Sequence, residues 1–121
     1  MKLNHLNLCV PDIAKTRAFF ETFFQFRCTD VKGPLVVLEG EDGFLLVLSN
    51  LSKATAVEYP AEFHFGFILD NPAGVHAAYE RLASGGVDIP HGVREMRGSL
   101  AFYCRIPGNI LLEVSTPLTA S

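Results

Sequence analysis

The chain carries one order of secondary-structure signals twice, and this internal repeat limits the fold more than any single motif does. A strand pattern that begins near His5 is followed by a capped helix and then by two apolar runs around a turn. The same order returns from His64 onward, so each copy takes up about half of the 121 residues. Two copies are too few for a solenoid, and we expect two half-sheets that complete one curved sheet.

The helix of each copy has its own start signal. Asp12 is the predicted N-cap of the first helix, and Asp70 or Asn71 is that of the second, with Pro72 in its first turn. Apolar residues recur at helical spacing after both caps, so each helix should pack one face on a sheet. The glycine pair after Ser84 should end the second helix.

A hairpin should follow each helix. The predicted strand pairs are 35–38 with 44–48 and 100–105 with 110–115. We expect the segment 88–98 to be an irregular loop and residues 116–121 to be a frayed tail.

Strand alternation puts two histidines and one glutamate on the faces opposite the apolar stripes. His5 and His64 fall at matching places of the two copies, and Glu113 lies in the last strand. Aligning the last strands of the copies puts Val47 where the second copy has Glu113, so the expected set has three protein ligands. Two neutral imidazoles and a carboxylate bind a divalent metal and leave coordination positions open, which suits catalysis. Taken singly, each of these residues is more often structural, as a hydrogen-bonded histidine or a solvated glutamate.

Composition and charge exclude several function classes. A chain with 49% hydrophobic and 19% charged residues can fill a core and should not be disordered. The net charge of −3, without a basic patch that interleaves aromatic residues, argues against a nucleic-acid partner. No apolar run is long enough for a membrane span. Three cysteines without a CxxC pair indicate a reducing, cytoplasmic environment, with the thiols buried as small apolar residues.

The segment 88–98 holds candidates for substrate recognition. It carries His91, Arg94 and Arg97, and loops of this kind often bind ligands. The two guanidinium groups could hold an anionic or carbonyl-rich substrate. The alternative is a solvated loop in which Glu95 balances the arginines.

Three stretches of the chain carry a resemblance to a known family. They are His5-Leu6-Asn7-Leu8-Cys9-Val10-Pro11-Asp12 with the following Phe19-Phe20, Phe63-His64-Phe65-Gly66-Phe67, and Phe102-Tyr103-Cys104-Arg105-Ile106-Pro107-Gly108-Asn109-Ile110-Leu111-Leu112-Glu113. Over nearly its whole length the chain resembles the vicinal oxygen chelate superfamily, also called the glyoxalase, bleomycin-resistance and extradiol-dioxygenase group. The resemblance implies an α+β fold in which two βαβββ modules form a curved mixed sheet. It implies a single domain, 1–121, with modules at about 1–50 and 61–116, and usually a homodimer.

The resemblance also assigns site residues. It implies that His5, His64 and Glu113 lie where the family holds its metal, which this ligand set would accept as Fe, Mn, Ni, Co or Zn. Glyoxalase I-like members commonly have a fourth ligand at the place of Val47, so its absence argues against that activity. Tyr103 matches a tyrosine found in both dioxygenases and thiol transferases.

The sequence favours a metal-dependent enzyme of this superfamily that acts on a small oxygen-rich substrate as a lyase, an isomerase or a dioxygenase. Glu113 and Tyr103 are the predicted catalytic residues, the tyrosine as a hydrogen-bond donor to a substrate oxygen. Asn7, which stands at the place of a site threonine in the thiol transferases, joins Arg94 and Arg97 as predicted substrate-binding residues. The alternative is a non-catalytic small-molecule-binding or drug-sequestering protein of the bleomycin-resistance type. A third option is a regulatory module whose metal site is vestigial.

Overall fold

The computed structural model describes residues 1–118 as an α+β protein in which one order of elements occurs twice. The first five elements are β1 (His5–Cys9), α1 (Ile13–Phe24), β2 (Arg27–Val31), β3 (Leu35–Glu39) and β4 (Leu45–Ser49). The next five are β5 (His64–Ile68), α2 (Pro72–Ser84), β6 (Arg94–Met96), β7 (Ser99–Ile106) and β8 (Ile110–Pro117). The chain divides into two compact units, the first ending at Glu58 and the second beginning at Tyr59. The predicted pair of βαβββ modules is confirmed.

Each unit forms a four-stranded mixed sheet, and the two sheets share one topology. The strand orders are β1-β4-β3-β2 and β5-β8-β7-β6. The first strand of each unit pairs in parallel with the last, and the remaining neighbours are antiparallel. The first strand therefore lies at a sheet edge beside the last strand, which brings β1 next to β4 and β5 next to β8.

Both helices begin at the predicted caps. The Asp12 side chain accepts a hydrogen bond from the Lys15 backbone N–H at 2.9 Å, which satisfies one of the unpaired donors of the first turn. Asn71, rather than Asp70, caps α2 by accepting from the Gly74 N–H at 2.9 Å. Each unit therefore fixes the start of its helix by a local side-chain bond, as the sequence predicts.

Each helix covers the apolar face of its own sheet. α1 packs against β3 and β4, and α2 packs against β7 and β8. Phe20 of α1 and Leu82 of α2 are fully buried. The Tyr79 ring meets Phe102 of β7 edge-on, with the ring centroids 5.5 Å apart. Full burial of an aliphatic or aromatic side chain of this size contributes about 1.5–3 kcal/mol, so the helices fix which sheet face forms each core. Neither helix is long and apolar enough to cross a membrane.

The three cysteines differ in burial. Cys104 lies on the helix-covered face of β7 and is buried, whereas Cys9 and Cys28 are partly exposed. Burial, followed by the negative charge of Asp88, raises the pKa of the Cys104 thiol to about 12. The prediction of buried apolar thiols is therefore confirmed for Cys104 and is wrong for the other two.

The predicted irregular loop over 88–98 is wrong in its last part. Residues Arg94–Met96 form β6, which pairs with β7 and turns into it at Arg97 and Gly98, both with positive φ. β2 is the counterpart of β6 in the first unit, and neither strand is part of the predicted hairpins. Both are edge strands rich in charged residues, so they lack the apolar alternation that signals a strand in the sequence.

The predicted frayed tail is wrong for its first two residues. β8 continues through Pro117, which pairs with Ser99. Thr116 is fully buried, and its hydroxyl donates a hydrogen bond to the Leu69 carbonyl oxygen at 2.8 Å. The ladder with β7 therefore orders this segment, and residues 119–121 of the predicted tail lie outside the described residues.

Candidate functional site

The second sheet has a polar face, defined here by His64, Gly66, Tyr103 and Glu113. Glu113 of β8 pairs with Gly66 of β5 on one side and with Tyr103 of β7 on the other. His64 precedes Gly66 by two residues, so it shares the same face. The alternation predicted from the sequence thus brings these side chains together on the side opposite α2.

Two contacts orient the His64 ring. Its Nδ1 lies 2.9 Å from the Glu62 carbonyl oxygen, and because a carbonyl can only accept, Nδ1 carries a proton. Its Nε2 lies 3.3 Å from Oε1 of Glu113. In the neutral imidazole, the Nε2 lone pair would face the lone pairs of the Glu113 carboxylate. The two atoms would then repel each other unless a positive charge lay between them. A proton or a metal ion would supply that charge, and a histidine whose second nitrogen donates to a backbone carbonyl is typical of metal ligands.

The Tyr103 ring completes the cluster. It lies edge-on to the His64 ring with centroids 5.5 Å apart, and both are within the same sheet face as Glu113. Burial and then the Glu113 charge raise the pKa of the Tyr103 hydroxyl, while Arg97 and Arg94 act against them. The phenol therefore keeps its proton at neutral pH and can donate a hydrogen bond.

Gly66 allows the close approach of β5 and β8 at this point. A Cβ atom placed on Gly66 would overlap with the backbone carbonyl oxygen of Glu113 and lie 2.7 Å from its carbonyl carbon. Sequence reasoning missed this role, although a glycine inside a strand pattern often signals that another backbone comes close. The glycine also leaves the Glu113 carboxylate without a directly opposite side chain on β5.

The first unit has the same register but different side chains. His5 pairs with Leu45 as His64 pairs with Leu111, and Asn7 pairs with Val47 as Gly66 pairs with Glu113. The predicted correspondence of Val47 and Glu113 is therefore confirmed by the strand pairing. His5 and Asn7 are both exposed on their edge strand.

The remaining predicted site residues lie on or near β6, at the edge of the second sheet. Arg94 lies in β6 and Arg97 in the following turn, both exposed, while His91 lies exposed before β6. Within either unit, residues 1–118 include no cluster of three His, Cys, Asp or Glu side chains that could hold a metal. The second unit by itself supplies two of the three predicted ligands, His64 and Glu113.

Solved structures with the same fold cover nearly the whole chain. A possible glyoxalase from Bacillus cereus is 31% identical, with a TM-score of 0.81 over 94% of this chain and 97% of that chain. The fosfomycin resistance protein FosX from Listeria monocytogenes is 20% identical, with a TM-score of 0.80 over 96% and 93%. A lactoylglutathione lyase from Agrobacterium tumefaciens is 21% identical, with a TM-score of 0.77 over 95% and 92%. At these identities, the last two similarities show the fold alone.

A family model supplies the assignment that sequence similarity to curated proteins does not. No curated protein sequence matches the chain significantly. The model of the glyoxalase/bleomycin resistance protein/dioxygenase superfamily matches residues 2–114, which include both helices and the whole polar face. This match confirms the family that the sequence motifs resemble. The chain belongs to the glyoxalase/bleomycin resistance protein/dioxygenase superfamily.

Proposed function

We propose that the chain is a metal-dependent enzyme that acts on a small oxygen-rich substrate, with His5, His64 and Glu113 as the metal ligands. The observation that carries the proposal is the orientation of His64. Its Nδ1 donates to the Glu62 carbonyl and its Nε2 faces the Glu113 carboxylate at 3.3 Å, an arrangement that suits a shared cation. The assignment of His5 rests on its matching register position in the first unit.

The donor set suits several divalent ions. Two imidazoles and one carboxylate accept Fe, Mn, Ni, Co or Zn and leave positions open for substrate oxygens. An ion bound there would act as a Lewis acid and stabilise negative charge that develops on a substrate oxygen. The His64 and Glu113 side chains are 41% and 26% exposed, so a small substrate can reach them.

The polar side chains of the site would form hydrogen bonds with the substrate. The Tyr103 phenol, which keeps its proton because burial and Glu113 raise its pKa, would donate a hydrogen bond to a substrate oxygen. Glu113 would help to neutralise the ion while its free oxygen accepts a hydrogen bond from the substrate. Asn7 would offer an amide to the substrate from the first unit. Lyase, isomerase and dioxygenase chemistry are all compatible with these roles.

A reconstitution screen tests this proposal. The protein is stripped with a chelator, loaded in turn with each of the five ions, and assayed for oxygen uptake and for thiol-dependent turnover on small carbonyl, diol and epoxide substrates. We expect turnover with at least one ion and its loss in His64→Ala. His76→Ala is the matched control, because that histidine is exposed on α2. Equal trace metal in the wild type and in His64→Ala would contradict the proposal, and ligand binding that survives both the chelator and His5→Ala would favour the drug-sequestering alternative.

We further propose a homodimer in the cytoplasm. The superfamily assignment supports a small-molecule partner and a dimer, and three cysteines without a CxxC pair support a reducing location. Light scattering during size-exclusion chromatography tests the dimer, since a monomer of 13.3 kDa would contradict it.

A further inference from the structure

Two arginines, Arg94 and Arg97, lie at the edge of the second sheet. Arg17, Arg27 and Arg105 each have a carboxylate oxygen within 4.0 Å. Arg94 and Arg97 have none in the part of the chain that the structure describes. Both guanidinium groups are exposed and are therefore available to an anion from outside the chain.

The strand register puts Arg94 on the polar face. Arg94 of β6 pairs with Ala101 of β7, and directly paired residues in antiparallel strands point to the same side. Ala101 and Tyr103 are two residues apart on β7, so Arg94 and Tyr103 are diagonal neighbours, about 7–8 Å apart at their backbones. A long arginine side chain spans that gap.

Glu95 cannot serve as the partner of Arg94. It is the next residue in β6 and pairs with Leu100, so alternation turns its side chain to the opposite face. The strand register therefore argues against Glu95 as the charge that balances Arg94.

Arg97 adds a second positive charge beside Arg94. It lies in the turn from β6 into β7, three residues after Arg94. Positive charge at the β6 edge and the Glu113 carboxylate on β8 thus lie on either side of Tyr103. Two strand spacings separate β6 from β8, which is about 10 Å, the length of a small organic molecule.

We propose that Arg94 and Arg97 bind an anionic group of the substrate, a carboxylate or a phosphonate-type group, beside Tyr103. A guanidinium offers a planar pair of N–H donors that matches the oxygens of such groups. The inference rests on the proposed function in calling the bound anion a substrate, whereas anion binding at the β6 edge is measurable by itself. The substrate would then carry its anion at one end and the oxygens for the metal centre at the other.

Anion binding to the metal-free protein tests the inference, because no ion can then contribute. The probes are benzoate, phenylphosphonate and the neutral isostere benzamide, titrated by NMR or calorimetry. We expect at least one anion to bind about tenfold more tightly than benzamide, and Arg94→Gln and Arg97→Gln each to weaken it by about tenfold. The better probe of the two anions identifies the preferred group.

Control variants separate the local site from net charge. Arg81→Gln removes the same charge from the last turn of α2 and should leave the affinities unchanged. Arg94→Lys keeps the charge but loses the planar pair of donors, so it should weaken binding less than Arg94→Gln. Equal binding of benzoate and benzamide, no binding of either anion, or wild-type affinity in both glutamine variants would each overturn the inference.

A metal titration of the same variants keeps the two proposals distinguishable. Arg94→Gln and Arg97→Gln should bind the divalent ion like the wild type. A wild-type protein that binds no ion but shows anion binding that depends on Arg94 would overturn the proposed function and support the anion site. Normal metal binding together with anion binding that ignores both arginines would overturn the anion site and leave the function standing.

Discussion

The two units of the chain share a backbone and differ in what they carry on it. His5 and His64 occupy the same register position, but the neighbouring strands offer Val47 and Val37 in the first unit where the second has Glu113 and Tyr103. The first unit therefore holds His5 and Asn7 beside apolar neighbours, while the second holds a histidine, a carboxylate and a phenol in contact. One topology thus supports an apolar neighbourhood around His5 and a polar neighbourhood around His64.

The helix-covered faces, in contrast, carry similar side chains in the two units. Leu46 and Leu112 occupy matching positions of the two units, and both are buried. The same is true of Leu48 and Val114. Burial restricts these positions to apolar side chains of similar size in both units. The fold therefore constrains the side chains under each helix, and function can diverge on the opposite face.

The largest expected effect concerns Gly66, whose counterpart in the first unit is Asn7. Gly66→Ala should lower the free energy of unfolding by about 3 kcal/mol, because the new Cβ would overlap with the Glu113 carbonyl oxygen. Urea unfolding measures this loss. Asn7→Ala, at an exposed position that already carries a side chain, should change stability by less than about 0.5 kcal/mol.

The matched control for Gly66 is Gly92→Ala in the same unit. Its Cβ would meet only the Tyr79 hydroxyl oxygen, at 4.0 Å, so stability should change little. Equal stability of Gly66→Ala and Gly92→Ala would show that β5 and β8 do not approach closely at the polar face.

The next effect depends on pH and distinguishes β7 from its counterpart β3. Cys104 pairs with Leu112 as Leu38 pairs with Leu46, so only the second unit has a titratable group at this buried position. Folding raises the pKa of Cys104 to about 12, so its stabilising contribution is complete below about pH 9 and is lost as the pH rises toward 12. The loss should reach at most about 1.4 kcal/mol per pH unit.

The difference between the wild type and Cys104→Val isolates this contribution from other groups. Unfolding free energies measured between about pH 8 and pH 11, which is from the ordinary thiol pKa of the unfolded chain toward the raised pKa of about 12 in the folded protein, should fall more steeply for the wild type. Parallel curves for the two proteins would mean that the thiol does not stay protonated in the folded state.

The smallest effect tests whether the two helices start in the same way. Asp12→Ala and Asn71→Ala should each cost about 1 kcal/mol, because each removes the acceptor for one backbone N–H in the first turn. Thermal unfolding measures both. Asp70→Ala should have almost no effect, and a loss at Asp70 equal to that at Asn71 would reassign the cap of α2.

Most of the fold follows from the sequence because its signals are local. Strand alternation, the Asp12 cap and Pro72 predict the repeated strand–helix–hairpin order before any contact is known. β2 and β6 escape prediction because charged edge strands bury little and keep no apolar stripe. The order of Thr116 also escapes, since it depends on a hydrogen bond to Leu69, which is distant in the sequence.

The candidate site is likewise only partly predictable from the sequence. Alternation and the repeat predict which face His64 and Glu113 share and which residue replaces the carboxylate in the first unit. The 3.3 Å contact between their side chains is beyond the sequence, because it depends on the strand approach at Gly66 and on the carbonyl of Glu62. Faces are a local property of the chain, whereas ring orientation and strand separation are not.

We propose above all that Glu113, which the first unit lacks, supplies the carboxylate ligand of a metal centre. Glu113→Val gives β8 the side chain that β4 has at Val47, and Glu95→Val removes a carboxylate from the opposite face of β6 as the control. Calorimetric titration of the metal-free protein with Ni²⁺ or Zn²⁺ should show the affinity of Glu113→Val reduced by at least about 100-fold, while Glu95→Val binds like the wild type. Wild-type affinity in Glu113→Val would contradict the claim.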